Sequence, residues 1–218
     1  MISVLLPSRG RPAALAESIA SLRDTAGKRS VEILVAADPD DPDTIAAAEQ
    51  LAADHLWVAP ERYGYGRLHE YVNALAARAN REWLMLFNDD ARMLTPHWDT
   101  VVERQQPGVL WPSSNDLPGC NTFPLWPRAW TTTVGHVSLS PHCDTWIQQI
   151  GDTLGQQQRI PVEILHDRAD LTGGHNDLTR AESASGYRTA EFYGPVMQAA
   201  LARDVETIRP LVCKENTP

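Results

Sequence analysis

The chain has 218 residues, of which 43% are hydrophobic and 22% charged, and its formal net charge is −9. This composition is ordinary for a globular protein, and the length suits one domain with a full hydrophobic core. No apolar run approaches the ~20 residues of a membrane-spanning helix. Three cysteines without a CxxC pattern argue against a disulfide framework and a thiolate zinc site, and the negative charge argues against nonspecific nucleic-acid binding.

The chain opens with an apolar run at residues 2–6, which predicts a short buried strand. We expect no signal peptide, because this run is short and Arg9 and Arg11 follow it rather than precede it. The protein is therefore expected in the cytoplasm. Pro12 opens a helix whose apolar residues repeat at helical spacing.

Three further strands alternate with helices in the first half of the chain. Residues 31–37 predict the second strand, which stops at a turn over residues 38–42, and residues 55–58 predict the third. A helix is expected over residues 45–53, and an apolar stripe predicts another between Leu68 and Leu75. Residues 83–87 are apolar throughout, as expected of a central strand covered on both faces. This order predicts an α/β fold with a mostly parallel sheet flanked by helices.

After residue 110 the pattern is more irregular. Four prolines between residues 111 and 127 predict a long irregular excursion. A helix is expected over residues 144–154, a late strand over 162–165 and a last helix over 192–208. Residues 170–186, rich in Gly, Asn, Asp and Ser, predict a mobile loop that could close over a bound ligand.

Polar residues follow three of the predicted strands. Residues 7–12 follow the first strand, Asp38 follows the second, and Asn88, Asp89 and Asp90 follow the fourth. Ligands of open α/β sheets bind beyond the carboxyl ends of the strands. Two adjacent carboxylates repel each other, and a divalent cation such as Mg²⁺ or Mn²⁺ would relieve that repulsion. The alternative is that the two aspartates only cap the next turn.

Residues 2–105 resemble the GT-A nucleotide-sugar glycosyltransferases and are similar to glycosyltransferase family two. The resemblance rests on three segments, which are ISVLLPSRGRPAALAESIASL, VEILVAADPDDPDT and GYGRLHEYVNALAARANREWLMLFNDDARM. The second segment departs from the family, because Ala37 stands where the first of two aspartates is usual. The resemblance implies one domain over residues 1–218, with a nucleotide-sugar-binding half (1–110) and an acceptor and catalytic half (111–218).

The resemblance also implies a nucleotide-diphosphate sugar donor and a metal ion, Mn²⁺ or Mg²⁺. Asp38 would bind the nucleobase or ribose, and Asp90 would bind the metal. Asp89 would bind the metal or the sugar and ribose hydroxyls. Arginine forks suit phosphate oxygens, although Arg67 could equally be a surface helix start. The donor-binding set implied in this way is Pro7, Ser8, Arg9, Arg11, Asp38, Arg67, Asn88 and Asp89.

Two polar residues of the second half are candidates for the chemistry. GT-A enzymes that invert the anomeric centre place a carboxylate base near a helix start, and Asp144 is the candidate here. Its alternative is an ordinary helix N-cap, and Asp152 is a weaker candidate for the base. Many GT-A enzymes also bring a late histidine to the metal. His166, at the end of the late strand, is the candidate, with His175 as a second choice.

The acceptor is less well defined by the sequence. Trp126, between prolines, is expected to be an exposed platform for stacking on a sugar or base. Short GT-A proteins of this kind are often encoded by bacteriophages, and some of these act on modified DNA bases. A modified DNA base is therefore one candidate acceptor, beside a small molecule, a lipid-linked sugar or a protein. Arginines that could form a local basic groove are Arg9, Arg11, Arg62, Arg67, Arg78, Arg81 and Arg92.

Two other functions fit the same residues. The first is a metal-dependent hydrolase or nucleotidyltransferase with a second metal cluster. The residues available for that cluster are His142, Asp144, His166, Asp167 and His175. The second alternative is a non-catalytic module that binds a nucleotide sugar without turnover.

Overall fold

The computed structural model of the chain describes residues 1–27, 31–116, 118–172 and 189–213. Its strands are β1 (Ile2–Pro7), β2 (Val31–Ala37), β3 (His55–Val58), β4 (Trp83–Leu86), β5 (Ala91–Met93), β6 (Val109–Ser114), β7 (Leu125–Pro127) and β8 (Gln157–His166). They form one sheet with the order β3-β2-β1-β4-β7-β6-β8-β5.

The helices of the described residues lie between these strands and after them. They are α1 (Pro12–Asp24), α2 (Pro42–Gln50), α3 (Leu68–Ala76), α4 (Trp98–Glu103), α5 (Arg128–Val134), α6 (Cys143–Leu154), α7 (Ala169–Thr172), α8 (Thr189–Phe192) and α9 (Pro195–Cys213), with a 3₁₀ turn at Tyr65–Arg67 before α3. Residues 173–188, which hold most of the predicted mobile loop and His175, lie outside the described residues.

The predicted α/β architecture with a mostly parallel sheet is confirmed. β1 pairs in parallel with β2 and β4, β2 pairs in parallel with β3, and β6 pairs in parallel with β8. β7 and β5 are the antiparallel members. The sheet therefore has a parallel first half and a mixed second half.

The segment predicted as an irregular excursion differs from the expectation. Residues 109–114 form β6, and the chain then returns through residues 115–124 to insert β7 between β4 and β6. β7 is only three residues long and ends in a proline, so no alternation of apolar residues marks it in the sequence. The late strand is also longer than predicted. Its register against β6 shifts between Trp111 and Ser113, where Pro112 and Pro161 interrupt the pairing.

The sheet is covered on both faces by apolar helix surfaces. Alternate residues of β1 face opposite sides of the sheet. Val4 belongs to the apolar cluster that includes α1, α2 and α4, whereas Leu5 belongs to the cluster that includes α3, α5, α6 and α9. Both side chains are completely buried. This packing fixes the strands, and with them the polar residues that follow each strand. In the described part of the chain, no helix combines the length and the apolar character needed to cross a membrane.

Candidate active site

A cavity of about 540 Å³ opens at the carboxyl edge of the sheet. Leu5 of β1 lies beside Leu34 of β2 and Leu86 of β4, so these strands end at the same level and their following residues meet. The side chains that line the cavity from both halves of the chain include Pro7, Ser8, Arg9, Arg11, Asp38, Tyr71, Asn88, Asp89, Asp90, Asp116, Cys120, Asp144, Gln148, His166 and Arg168.

One end of the cavity is built on Asp38, which is buried at the end of β2. Its Oδ2 accepts a hydrogen bond from Nη1 of Arg9 at 2.8 Å, and its Oδ1 accepts one from the hydroxyl of Tyr71. The Tyr71 oxygen in turn accepts hydrogen bonds from the backbone N–H groups of Tyr63 and Gly64, at 2.9 and 3.1 Å. Asp38 is therefore held by the loop after β1 and by Tyr71 of α3, which is itself fixed by the residues before α3.

Arg67 is not brought into this cavity. Its guanidinium pairs with Glu61 at 3.0 Å and with Glu70 at 3.4 Å, and it lies 4.0 Å from the ring centre of Tyr63. The Arg67 side chain is paired and packed at the surface. It therefore fits a surface position at a helix start, the alternative to donor binding.

The loop after β1 turns sharply at Gly10, which adopts a φ of +67° that favours glycine. The Gly10 N–H donates to Oδ2 of Asp41 at 2.7 Å, and Oδ1 of the same aspartate accepts from the N–H of Thr44 in the first turn of α2. The next residue, Arg11, is the N-cap of α1 and precedes a proline at the first helical position. The turn therefore directs the Arg11 side chain towards the end of β4.

The acidic pair at the end of β4 is bridged by Arg11. Nη1 of Arg11 lies 3.0 Å from Oδ1 of Asp89 and 2.9 Å from Oδ2 of Asp90. Asp89 also accepts a hydrogen bond from the Ser8 hydroxyl at 2.8 Å. Burial, opposed by Arg11 and reinforced by the Asp90 charge, raises the pKa of Asp89 to about 6. Burial also disfavours the Asp90 carboxylate, but His166 and Arg11 outweigh it and keep the pKa of Asp90 below its usual range.

His166 reaches the acidic pair because β8 pairs antiparallel with β5, which places it opposite Ala91. Its Nε2 lies 3.2 Å from Oδ1 of Asp90, and its Nδ1 lies 2.9 Å from Oδ1 of Asp116. Burial disfavours the imidazolium, yet these two carboxylates raise the pKa of His166 to about 9. The Asn115 side chain fixes the backbone of His166, since it accepts a hydrogen bond from the His166 N–H at 2.7 Å and donates one to the His166 carbonyl at 3.0 Å.

These residues fit an open divalent-cation site. No group of three or more His, Cys, Asp or Glu side chains arranged to hold a metal occurs among the described residues. Asp90 and His166 nevertheless offer two adjacent donors, and the carboxylate on Nδ1 of His166 is the usual support of a metal-binding histidine. Mg²⁺ and Mn²⁺ commonly take their remaining ligands from substrate phosphates and water.

Asp144 also lines the cavity, from the first turn of α6. The N-cap of α6 is His142, so Asp144 is not the capping residue. Its Oδ1 accepts hydrogen bonds from the Thr145 N–H at 2.7 Å and the Thr145 hydroxyl at 3.2 Å. Burial raises the pKa of Asp144, which makes its carboxylate a stronger base. Asp152 lies exposed further along the helix and does not line the cavity.

The loop that leads into α6 is tied to α3 by Asn73. The Asn73 amide oxygen accepts from the N–H groups of Val137 and Ser138, at 2.7 and 3.2 Å, and its amide nitrogen donates to the Ser138 carbonyl at 2.8 Å. Ser138 continues the chain of contacts, because its hydroxyl donates to the Ser140 carbonyl at 2.7 Å. Asn73 thus connects α3, the helix that carries Tyr71, to the segment that leads to Asp144.

The prediction that Trp126 is an exposed platform is wrong. Trp126 is completely buried, and its indole N–H donates to the Thr131 hydroxyl at 2.8 Å. The physical reason is the insertion of β7 into the sheet, where Trp126 lies beside Leu84 of the central strand β4. It therefore packs in the core and cannot stack on an acceptor.

The arginines predicted to form a basic groove are mostly paired with acids. Arg9 binds Asp38 and Asp40, Arg11 binds the acidic pair, Arg67 binds two glutamates, and Arg92 pairs with Glu17. Arg78 packs over the ring of Trp57 at 5.3 Å. The neighbouring carboxylates neutralise most of these arginines, so the described residues give no support to a continuous basic groove.

The second metal cluster is likewise unsupported. His142 is buried and its ring stacks against Phe192 at 4.8 Å between centroids. Asp167 is exposed and accepts from the Thr172 hydroxyl. His175 lies outside the described residues, and the described members of the proposed cluster form no metal-holding group.

Asp116, Asn115 and Tyr71 are site residues that the sequence does not reveal. Asn115 and Asp116 follow a strand end, as residues 88–90 do, but the sequence does not predict β6 as a strand. Tyr71 lies within the apolar stripe that predicts a helix between Leu68 and Leu75, although its hydroxyl reaches Asp38.

The comparisons with known proteins concern the fold. No protein-family model and no curated protein matches the sequence. Staphylococcus aureus TarS matches the structure with a TM-score of 0.59 at 11% identity, covering 88% of this chain and 45% of that one. Glucosyl-3-phosphoglycerate synthase from Mycobacterium tuberculosis, in complex with Mg²⁺ and uridine diphosphate, matches with a TM-score of 0.59 at 14% identity, covering 85% and 77%.

A third match is the mannosyltransferase PcManGT from Pyrobaculum calidifontis, in complex with GDP-Man and Mn²⁺. It has a TM-score of 0.58 at 12% identity, and the alignment covers 95% of this chain and 80% of that one. The chain spans less than half the length of TarS. At these identities the likeness is one of fold, and the GT-A fold predicted from the sequence is confirmed.

Proposed function

We propose that the chain transfers a sugar from a nucleotide-diphosphate donor to an acceptor hydroxyl, with the help of a divalent cation. The observation that carries this proposal is that one cavity is lined by three groups of side chains. They are Asp38 with Arg9, the acidic pair with His166, and Asp144. These suit, in order, a nucleoside, a cation with a diphosphate, and the proton of an acceptor. The GT-A fold shared with transferases supports the same reading.

In the proposed reaction the acceptor oxygen forms a bond to the anomeric carbon of the sugar, and the bond from that carbon to the diphosphate oxygen breaks. The Asp144 carboxylate takes the hydroxyl proton, and the bonding electrons leave with the nucleoside diphosphate. Attack from the face opposite the leaving group would invert the anomeric centre. Asp144 lines the same cavity as the acidic pair, which supports its role as the base.

Asp90 and His166 would hold the cation, Mn²⁺ or Mg²⁺, which supplies positive charge to the diphosphate. Asp89 would position Ser8 and Arg11 through the contacts it makes with them. Asp38 and Arg9 would bind the nucleoside. Pro7 and Asn88 line the same cavity and shape the turns that carry these groups.

A thermal-shift panel of UDP-, GDP-, CMP- and dTDP-sugars, each with and without Mn²⁺, tests this function. A ligand that binds the folded protein raises its melting temperature by mass action. We expect one donor to give a shift that depends on Mn²⁺ and that Asp90→Asn abolishes. Asp144→Asn should keep the shift and lose about 10²–10⁴-fold in transfer rate. No metal-dependent shift with any donor would contradict the proposal, and shifts without turnover or donor hydrolysis would favour the non-catalytic binding module.

The modified DNA base stays a prediction from the sequence. The cavity arginines are paired with aspartates, which neutralise their charge. This pairing weakens the electrostatic case for DNA binding, because phosphates are attracted by unneutralised positive charge. Transfer of labelled sugar to DNA containing hydroxyl-bearing bases, compared with small alcohols and glycans, tests it. Label that reaches only non-DNA acceptors would remove DNA as the substrate.

A further inference from the structure

Arg11 occupies an unusual position for a residue expected to bind a donor. One nitrogen of its guanidinium lies 3.0 Å from Asp89 and 2.9 Å from Asp90, so a single group contacts both carboxylates. Only 17% of the side chain is exposed. The loop fixes the Arg11 backbone, because Arg11 is the N-cap residue of α1 and the N–H of Gly10 donates a hydrogen bond to Asp41.

The Arg11 guanidinium and a divalent cation would compete for the same charges. Asp90 is a candidate metal ligand, and its Oδ2 already accepts from Arg11. Two cations a few ångströms apart in a half-buried site repel strongly, because water screens them poorly there. A cation can bind Asp90 tightly only when the guanidinium moves away or finds another anion.

We propose that Arg11 is the internal counter-ion of the acidic pair, and that it transfers to the donor diphosphate when cation and donor bind together. This inference rests on the proposed function for the identity of its anion. Arg11 and the acidic pair line the same cavity, so the exchange keeps the guanidinium within that cavity. Cation and diphosphate then bind with positive coupling, and each raises the affinity of the other by the same factor.

The test is Mn²⁺ titration by calorimetry on the full chain without nucleotide. Arg11→Gln should bind Mn²⁺ about tenfold more tightly than the wild type, because the competing charge is gone. The matched control is Arg92→Gln, which makes the same change of charge at a side chain paired with Glu17 outside the cavity. Its Mn²⁺ affinity should stay within about twofold of the wild type. Equal or weaker Mn²⁺ binding by Arg11→Gln, or no binding by either protein, overturns the proposal.

Coupling is measured by repeating the titrations with saturating UDP or GDP, corrected for Mn²⁺ bound by the nucleotide itself. The wild type should gain at least about tenfold in Mn²⁺ affinity, and Arg11→Gln should gain clearly less. If neither nucleotide binds the wild type with Mn²⁺, the proposed function fails. The comparison without nucleotide still decides whether Arg11 competes with the cation, so the two failures are distinguishable.

Removing Arg11 leaves two adjacent carboxylates without their shared cation, and the variant could unfold for that reason. Circular dichroism in EDTA and after addition of Mn²⁺ covers this case. If Arg11→Gln is unfolded in EDTA, Mn²⁺ should restore its helical signal by replacing the lost charge. A variant that stays unfolded at saturating Mn²⁺ would overturn the proposal.

Discussion

The charged residues around His166 form a continuous series of contacts. Asp116 binds Nδ1 of the imidazole, Nε2 faces Asp90, and Asp90 contacts Arg11. Each carboxylate lies against a cationic group, and this is why the pKa values of Asp116 and Asp90 stay low although burial alone would raise them. Asp116 is therefore a positioning residue, which acts on a bound cation only through His166.

Asp116→Asn should weaken Mn²⁺ binding by about 10–100-fold, which is the usual effect of removing the carboxylate behind a metal-binding histidine. The measurement is Mn²⁺ affinity by calorimetry in the presence of the nucleotide diphosphate. Asp167→Asn is the control, since it removes the same charge from the exposed residue next to His166 and should change the affinity by less than about twofold. A similar loss in both variants would show a general charge effect and remove Asp116 from this role.

Among the elements, α6 depends on α3 for its position. Asn73 makes three hydrogen bonds to the loop before α6, and that loop carries the chain from α5 to Asp144. Asp38, which is proposed to bind the nucleoside, contacts α3 through Tyr71 instead. Loss of the Asn73 amide should therefore disturb the base more than the donor site.

Asn73→Ala should lower the free energy of unfolding by about 1–3 kcal/mol, because buried backbone groups lose their partners. The transfer rate should fall while the affinity for the nucleotide diphosphate stays near that of the wild type. Urea unfolding, turnover and nucleotide titration check the three quantities. Asn73→Asp keeps an acceptor for Val137 and Ser138 and should recover part of the stability. Equal losses of turnover and nucleotide affinity would contradict this division of roles.

The sequence predicts the elements whose pattern is long and regular, and it misses those that depend on distant partners. The strands and helices of residues 2–86 have clear periodicity, and polar residues at three strand ends locate most of the cavity. β5 and β7 are three residues each and are strands only because β8 and β4 pair with them. The error on Trp126 follows from the short β7, and the omission of Asp116 follows from β6, whose apolar residues are interrupted by Pro112.

At the scale of the whole molecule, the last helix, α9, packs against α5 and α6. Asp204 of α9 is buried, and its Oδ2 lies 2.9 Å from Nε2 of His136 and accepts from the Trp146 indole at 3.0 Å. This carboxylate contacts the partly buried His136 of the loop after α5 and the buried Trp146 of α6, and it therefore joins three segments of the second half. None of these three residues lines the cavity.

Asp204→Ala should lower the free energy of unfolding by about 1–3 kcal/mol, because the buried Trp146 N–H loses its acceptor. Asp204→Asn keeps an acceptor oxygen and should cost less. Chemical denaturation followed by tryptophan fluorescence measures both. Nucleotide affinity measured below the unfolding transition should not change in either variant. An Asp204→Ala protein as stable as the wild type would show that α9 is held by its apolar contacts alone.

The order of strands in the sheet has a consequence for how such a chain could diversify. β7 from the second half lies between β4 and β6, and β8 brings His166 against the residue that follows Asp90. Strands from the two halves of the chain are thus interwoven in one sheet, and the proposed cation ligands Asp90 and His166 come one from each half. A new acceptor preference could not be acquired by exchanging the segment after residue 110 as a cassette, because the exchange would remove part of the cation site. Variation confined to loops at the cavity rim would leave the sheet and the cation site intact.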